Sequence, residues 1–288
     1  MTWAPGPVVT RRRLGGELKR LRLGSGLLLE EVARKLECSP SKISRLENGK
    51  GIPRWRDVRD LLDAYAVPEG EHREQLLDWS RTGRAQMWWQ AYADVLPNGL
   101  DTYVELEWDA ARIRAYEPQI VHGLLQTDDY ARGVLRAAFS ATRSEAEIER
   151  MVDVRRERRK ALDPEHGLAF CCVLDESTLH RVVGSPSVLR DQLAWLLMIS
   201  ERPHVEIRIF PFSAGFVTAA LSSFGTLDFS EGVPGGLLYR ERPDDNEVSS
   251  DASEVASHRL RLEEILRDTL DATGTRERLA ERIASLDR

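Results

Sequence analysis

Two short helical patterns follow each other in Leu27–Pro53 with almost no chain between them. The segment reads LLLEEVARKLECSPSKISRLENGKGIP. Its first half places Val32 and Leu36 at helical spacing, and its second half places Ile43 and Leu46 three residues apart. The intervening residues leave room for a turn and for nothing else. The sequence therefore predicts a tight two-helix unit.

The second helix of this pair has an unusually polar outer face. Ser39 is a favoured N-cap residue, and Pro40 is a favoured first helical residue. Burial of Ile43 and Leu46 turns short or cationic side chains outward, namely Ser41, Lys42, Ser44, Arg45 and Asn48. Arginine can pair bidentately with guanine in the major groove, which contributes about 1–3 kcal/mol of discrimination. On periodicity alone, an ordinary solvated surface helix explains the pattern equally well.

The charges of the chain are divided between its two parts. The net charge is −6, but residues 1–67 hold 14 Lys/Arg and 8 Asp/Glu, a net of +6, while the remainder holds 27 and 39, a net of −12. This asymmetry is typical of a basic nucleic-acid module joined to an acidic domain. Lys50 and Arg54, just past the second helix, are placed to neutralise phosphate charge. The charge division therefore favours DNA contact over a solvated surface helix.

Further helical patterns surround the pair. Before it, RRRLGGELKRLRL has a leucine stripe that ends at Gly24 and Gly26, and after it come PRWRDVRDLLDAYAV and EGEHREQLLDWSRTGR. Five short helices with connections of a few residues describe a compact all-α domain. We place this domain at residues 1–83 and a second domain at residues 84–288.

The second domain has a mixed pattern. Helices are predicted at Leu100–Ala115, Thr127–Ser140, Arg143–Leu162, Ser185–Glu201 and Ser253–Leu270. The segments GLAFCCVL, HVEIRIFPF, FGTLDF and GGLLYRER are typical of strands, and ERPDDNEVSSD is typical of a polar loop. The predicted fold class is therefore multi-domain. An all-α five-helix domain is followed by an α+β (α/β) domain with a small sheet flanked by helices.

The segment GLLLEEVARKLECSPSKISRLENGK resembles the Cro/cI-type (XRE family) helix-turn-helix, above all in S-x-x-x-I-S-R-L-E-N-G. The resemblance covers about Arg11–Val67. It implies that the second helix of the pair enters the major groove of DNA. It also implies that Pro40, Ser41 and Arg45 face bases and that Asn48 faces a phosphate.

The same resemblance implies a structural ion pair between Arg22 and Glu47. Two departures from the family pattern have physical consequences. Leu28 and Leu29 stand where the family has a polar cap and a Gln that touches DNA, which predicts weaker phosphate contact at that helix start. Glu37 stands where the turn normally has Gly, which predicts a strained turn.

The remaining chain, about Met87–Leu286, resembles an antitoxin-like domain found behind such modules in actinobacterial regulators. The segments that carry the resemblance include EPQIVHGLLQTDDYARGVL and VEIRIFPFSAG, with His122 where the family usually has Pro. No catalytic activity comes with this domain. The resemblance implies a small protein partner, encoded nearby.

Other candidate sites have weaker support. Asp175 and Glu176 follow a strand, but no His, Cys or Ser pattern joins them, so we do not expect an enzyme. A deep pocket around these residues, Tyr239 or Glu241 would favour a sensor or enzyme instead. The basic run Arg155–Lys160 follows acidic residues on the same helix, which favours a solvated face over a second phosphate patch.

We expect no cofactor, no metal and no membrane contact. The six histidines lack ligand spacing, and the three cysteines include no C-x-x-C pair. No apolar run reaches the roughly 18 residues of a membrane span, and the N-terminal residues lack a signal-peptide core. These features predict a cytoplasmic protein with reduced cysteines.

The leading hypothesis is a sequence-specific transcription regulator that binds double-stranded DNA as a homodimer on a near-palindromic site. Its second domain dimerises, binds the small protein partner, or does both. The rival hypotheses are a small-molecule sensor or enzyme in the second domain, and a helical module that binds protein. The expected roles are base contact for Pro40, Ser41, Lys42, Ser44 and Arg45, phosphate contact for Ser39, Asn48, Lys50 and Arg54, and a structural ion pair for Arg22 and Glu47.

Overall fold

The computed structural model describes residues 6–49, 51–83, 88–97, 99–215, 222–230, 235–241 and 246–286. The chain divides into two units. The first comprises residues up to 87 together with 229–234, and the second comprises 88–228 together with 235–288. None of the described helices is long and apolar enough to cross a membrane.

Five α-helices make up the described part of the first unit. They are α1 (Pro7–Gly24), α2 (Leu29–Lys35), α3 (Pro40–Glu47), α4 (Trp55–Ala64) and α5 (Glu71–Thr82). The start of α3 follows from its sequence, because Ser39 Oγ accepts a hydrogen bond from the Lys42 amide at 3.2 Å and Pro40 takes the first helical position.

Aliphatic side chains from all five helices form the core of the first unit. The most deeply buried are Leu14, Leu18, Val32, Ile43, Val58, Leu61, Leu62 and Leu76. Gly15 marks where α1 meets α3, since a Cβ atom there would lie 2.4 Å from the carbonyl oxygen of Leu46. Only glycine allows so close an approach. Backbone contact as well as side-chain packing therefore holds α3 against α1.

The turn between α2 and α3 passes through the left-handed region at Glu37, whose φ is +50°. The amide of Cys38 donates to the carbonyl of Ala33 at 2.9 Å, and the amide of Glu37 donates to that of Arg34 at 3.4 Å. These two bonds form a Schellman cap, in which glycine is the favoured residue at the left-handed position. A side chain there costs about 1–2 kcal/mol.

A mixed β-sheet forms the centre of the second unit. Its described strands are β1 (Arg112–Glu117), β2 (Ala169–Asp175), β3 (Val205–Phe210), β4 (Phe224–Asp228), β5 (Leu237–Glu241) and β6 (Asn246–Ser249). Their order is β3-β2-β1-β4-β5-β6. β1, β2 and β3 are parallel, whereas β4 is antiparallel to β1, β5 to β4 and β6 to β5. β1 therefore joins a parallel half to an antiparallel half.

Helices cover both faces of this sheet. They are α6 (Leu100–Asp109), α7 (Asp128–Phe139), α8 (Glu145–Arg159), α9 (Ser177–His180), α10 (Pro186–Ile199), α11 (Ala252–Arg267) and α12 (Ala272–Leu286). On one face, Tyr116, Phe224 and Leu238 pack against Leu262 of α11. On the other, the ring of Tyr239 stacks on Tyr103 of α6 at 3.7 Å between centroids.

The predicted fold class is confirmed, with two local corrections. The helix predicted at Leu100–Ala115 is wrong beyond Asp109, because the chain becomes extended at Ala110 and continues as β1. β1 alternates between polar and apolar residues only from Arg112 to Ala115, and residues 115–117 are then all buried, so the two-residue alternation is too short to identify the strand. The polar loop predicted at ERPDDNEVSSD contains β6, an edge strand whose half-exposed side chains need not be apolar.

Candidate functional site

The outer face of α3 presents the residues predicted to contact DNA bases. Pro40, Ser41, Lys42 and Arg45 are exposed, and Ser44 is half-buried. Of the residues predicted to contact phosphate, Ser39, Asn48 and Arg54 are also exposed, whereas Lys50 lies outside the described residues. The opposite face of α3 is buried through Ile43, Leu46 and Glu47.

The two cations on α3 differ in their surroundings. The ammonium group of Lys42 lies 2.8 Å from Asp57 Oδ1 of α4, so its charge is already compensated within the unit. Arg45 has no carboxylate partner in the part of the chain that the structure describes, and neither has Arg54. Arg45 is therefore the α3 cation most available to an external anion or to a guanine edge.

Asn48 caps the C-terminal end of α3 with its own side chain. Its Nδ2 atom donates to the carbonyl of Ser44 at 2.8 Å and lies 3.3 Å from Ser44 Oγ. The Ser44 carbonyl also accepts a hydrogen bond from the Asn48 backbone amide at 3.0 Å, so the side-chain bond is a second one to the same oxygen. The NH2 group of Asn48 carries two hydrogens, so it can donate to a phosphate with one while the other stays on Ser44.

A buried ion pair joins α1 to α3. Arg22 Nε lies 2.7 Å from Glu47 Oε1, and Arg22 Nη2 lies 3.0 Å from Glu47 Oε2. Both residues are under one-tenth exposed, and Arg22 Nη1 also donates to the carbonyl of Leu27 at 2.9 Å. The hydrogen bond to Glu47 raises the pKa of the Arg22 guanidinium. The pair fixes the orientation of α3 from its buried side and does not reach the outer face.

The N-terminal end of α2 is occupied by an internal carboxylate. Glu31 Oε2 accepts a hydrogen bond from the Leu28 amide at 2.8 Å, while the Leu28 side chain is 62% exposed. A helix N-terminus normally offers its amides to anions. Here a negative side chain takes one of those amides, which weakens the attraction of this helix end for phosphate.

A cavity of about 230 Å³ lies within the second unit. It is bounded by α6, α7, α8 and the carboxyl-terminal ends of β1 and β5, with Tyr103, Glu117, Arg155, Tyr239 and Glu241 in its lining. Tyr239 and Glu241 therefore line one cavity. They are two of the four residues around which a deep pocket was expected to favour a sensor or enzyme. Asp175 and Glu176 do not line the cavity.

Asp175 and Glu176 are held by structural partners instead. Asp175 Oδ1 accepts a hydrogen bond from the Ser177 amide at 2.8 Å. Glu176 Oε2 accepts one from the Phe212 amide at 2.7 Å, and its other oxygen pairs with Arg278. These bonds fasten the connection after β2 to neighbouring segments.

The basic run Arg155–Lys160 is mostly paired with acidic side chains. The pairs are Arg156 with Asp128 and Asp153, Arg158 with Glu107, Arg159 with Asp128, and Lys160 with Glu157. Arg155 differs, because its one hydrogen bond among the described residues goes to the Ala131 carbonyl at 3.3 Å. Burial lowers the pKa of Arg155 to about 10. One arginine of this run, Arg155, thus lines the cavity without an ion pair among the described residues.

Several cavity residues were not anticipated from the sequence. Glu117 ends β1, whose first four residues were predicted as helix, and burial raises its pKa to about 8. His122 is buried, and its Nδ1 atom accepts a hydrogen bond from the Leu124 amide at 3.2 Å. Burial, and then the charge of Arg158, lower the pKa of His122 to about 3. The sequence feature that could have indicated the cavity is the Glu at the end of RIRAYE. It suggests a site only once that segment is recognised as a strand, because a site residue is then expected at the strand's end.

No metal centre is found among these groups. Within the described ranges, no set of three or more His, Cys, Asp and Glu side chains is arranged to hold a metal ion.

The pairing of α2 with an exposed α3 across a short turn is the geometry of a helix-turn-helix domain. Residues 13–76 match a family model described as a helix-turn-helix domain, which supports a DNA-binding regulator. Residues 100–281, more than half of the chain, match the family described as a domain of unknown function (DUF5753), and the chain belongs to this family. No curated protein and no solved structure is significantly similar to the chain.

Proposed function

We propose that the protein is a sequence-specific, XRE-like transcription regulator whose α3 enters the major groove of DNA. The observation that carries this proposal is the division of α3 into two faces. Its inner face is fixed by the Arg22–Glu47 ion pair and by Ile43 and Leu46, and its outer face presents Arg45, which has no ion pair within the described part of the chain.

The residues of α3 take different parts in this contact. Arg45 discriminates bases, with Pro40, Ser41, Lys42 and Ser44 beside it. Ser39, Asn48, Lys50 and Arg54 contact phosphates, which set position without specifying sequence.

We further propose that the regulator binds as a homodimer. A single small module buries only about 600–1,000 Å² of its surface on DNA, which is too little for tight specific binding. Two copies on a near-palindromic site supply the rest, with half-sites about 34–36 Å apart or a multiple of that distance.

The second unit has two candidate roles, neither of them enzymatic. The first is dimerisation or capture of a small protein partner encoded nearby. An exposed, flat apolar sheet face would support that role, but helices cover both faces of the described sheet. The second role is that of a small-molecule sensor, and the cavity beside Tyr239 and Glu241 favours it.

Selection of the operator from random duplexes, followed by fluorescence anisotropy with the full chain, tests the DNA proposal. Arg45→Ala should relax preference at one base pair in each half-site, at a cost of about 1–3 kcal/mol for the selected sequence. Lys50→Ala should instead weaken all sequences alike and reduce the salt dependence. Arg261→Ala removes an equal charge from the exposed surface of α11 and serves as the control.

Unchanged sequence preference in Arg45→Ala would show that the face assigned to DNA is wrong. Binding that is equally tight at low and high salt would favour a module that binds protein.

A further inference from the structure

Polar groups line one end of the sheet in the second unit. Glu117 ends β1, and its Oε2 atom accepts a hydrogen bond from Ser223, which precedes β4, at 2.9 Å. Glu241 ends β5 and pairs in register with Asn246 of β6. Because Ala115, Gly225 and Tyr239 are aligned across β1, β4 and β5, the residues two positions on, Glu117 and Glu241, share one face of the sheet. Two carboxyl groups therefore meet on the face that bounds the cavity.

A positive group faces the same space from α8. The guanidinium of Arg155 lines the cavity and has only a long hydrogen bond to the Ala131 carbonyl. The neighbouring Arg158 is bound at two points by the buried Glu107, at 2.7 and 2.8 Å. Arg158 is thus neutralised within the fold, whereas Arg155 is a half-buried cation with no ion pair among the described residues, although the charge of Glu241 acts on it across the cavity. Such a group gains most from a ligand that carries a carboxylate.

One of the residues that line the cavity, Gln126, has an unused acceptor atom. Gln126 is 2% exposed, and its Nε2 atom donates to the Val121 carbonyl at 2.7 Å. Its Oε1 atom has no hydrogen-bond donor within the described part of the chain. A buried acceptor without a donor costs about 1–3 kcal/mol. A donor that reached this atom, which is itself closed off from the cavity space, would remove that cost.

The rest of the lining is apolar. It includes Leu96, Leu100, Ile120, Leu135, Phe139 and Met151. The volume of about 230 Å³ suits a ligand of about eight non-hydrogen atoms, since a water molecule fills about 30 Å³.

We propose that this cavity binds a small zwitterion, an α-amino acid with an aliphatic side chain, whose carboxylate pairs with Arg155 and whose ammonium group is bound by Glu117 and Gln126. The aliphatic side chain fills the apolar part of the cavity. This inference rests on the second candidate role of the unit, that of a small-molecule sensor. A carboxylate without an ammonium group would leave Gln126 without a donor and would bring a second negative charge to Glu117 and Glu241. An amine without a carboxylate would leave Arg155 unpaired.

The protonation of Glu117 gives this proposal a distinctive pH dependence. The pKa of Glu117 is about 8, raised by burial and by the charge of Glu241, while Ser223 and Arg158 act in the opposite direction. Tyr239, Tyr130 and Cys172 also lie close, and all three are neutral near pH 7. An ammonium group beside Glu117 favours its ionised form, so binding near pH 7 releases a proton. Affinity should therefore rise between pH 6 and 8, by up to about tenfold per pH unit.

Titration calorimetry on the full chain tests the site without DNA. The probes are L-valine, L-leucine, L-isoleucine and L-methionine. For the one that binds best, analogues that lack either charge are compared, such as 4-methylpentanoate and 3-methylbutan-1-amine for leucine. We expect the amino acid to bind with a Kd below about 1 mM. Each analogue should bind at least about tenfold more weakly, because each leaves a buried polar group unpaired.

Three variants assign the roles. Arg155→Met should abolish amino-acid binding and leave the weak binding of the amine unchanged. Glu117→Gln should remove proton release, measured in buffers of different ionisation enthalpy. Arg156→Met is the matched control on the same helix, because its ion pairs lie on the exposed side and it does not line the cavity. Thermal unfolding confirms that each variant is folded.

The proposal is overturned if none of the four amino acids binds, if 4-methylpentanoate binds as tightly as leucine, or if folded Arg155→Met keeps wild-type affinity. Anisotropy with operator DNA then separates this inference from the proposed roles. An amino acid that binds but leaves DNA affinity unchanged supports the site and contradicts the sensor. If the protein binds no DNA under any condition, the proposed regulator function is contradicted. The amino-acid site measured by calorimetry is not affected by that result.

Discussion

The guanidinium of Arg22 and the carboxylate of Glu47 form a two-point ion pair that is buried between α1 and α3. Neither group reaches the outer face of α3, so the pair acts on DNA contact only by holding the helix. It works together with the close backbone approach at Gly15.

Removing one partner of this ion pair should destabilise the first unit. Arg22→Met or Glu47→Gln leaves a buried group uncompensated, which costs about 3–5 kcal/mol. The double variant Arg22→Met/Glu47→Leu should cost less than either single change, because it leaves no unpaired charge. Urea titration of the three variants measures these differences. Single changes that cost under about 1 kcal/mol would contradict a structural role for the pair.

Freeing Lys42 from Asp57 should strengthen DNA binding. Asp57→Asn removes the carboxylate that lies 2.8 Å from the Lys42 ammonium group, together with one negative charge near α3. We expect tighter binding to all sequences and a salt dependence that is steeper by about one unit of slope. Anisotropy between low and moderate salt measures both. Asp78→Asn, on α5, is the matched control for the lost charge. An equal gain in both variants would point to net charge rather than to Lys42.

Replacing Glu37 by glycine should stabilise the first unit. Glu37→Gly removes the strain of a side chain at φ +50°, offset by the greater freedom of glycine in the unfolded chain. The net gain should be about 1 kcal/mol. Glu37→Ala keeps a Cβ atom at the same position and should give no such gain. Urea midpoints of the two variants make the comparison, and equal midpoints would mean that the turn is not strained.

His122 should make the second unit sensitive to mild acid. In the folded protein its pKa is lowered to about 3, whereas an unfolded chain has a histidine pKa of about 6.5. The unfolded state therefore binds the extra proton below pH 6.5. The stability that His122 contributes is complete above that pH and is lost as the pH falls toward 3.

Between pH 6.5 and 5 the loss should be about 2 kcal/mol. Urea titrations at the two pH values measure it. His122→Asn keeps an acceptor for the Leu124 amide but cannot titrate, so it should lose less stability over this interval. If the variant and the parent lose the same amount, another group is responsible.

Capping residues and helical periodicity predicted the helices of the first unit. They did not predict which of its polar side chains form ion pairs. Ser39, Pro40, Ile43 and Leu46 define α3 from sequence alone, since capping and periodicity are local properties. That Lys42 pairs with a residue 15 positions later was not visible. This ion pair depends on the crossing angle between α3 and α4, which the spacing of residues in the sequence does not determine.

The second unit was less predictable because its site is assembled from distant segments. The cavity joins Tyr103, Gln126, Arg155 and Glu241, which come from α6, the segment before α7, α8 and β5. No motif connects such positions. β1 was missed because its alternation of polar and apolar residues lasts only from Arg112 to Ala115, after which residues on both faces of this central strand are buried. With the first four residues of β1 predicted as helix, Glu117 had no place in a site.

The hydrogen bond from Asn48 Nδ2 to the Ser44 carbonyl fixes the direction of the second N–H of the same amide. That second hydrogen has only the 3.3 Å contact to Ser44 Oγ, so it can donate to a phosphate oxygen without breaking the bond to the carbonyl. The end of α3 keeps its hydrogen bonds as the helix docks, because the Asn48 backbone amide also donates to the Ser44 carbonyl at 3.0 Å. Asn48 therefore constrains the geometry of the complex, because a side chain held by its own helix meets a phosphate only where that phosphate lies in reach.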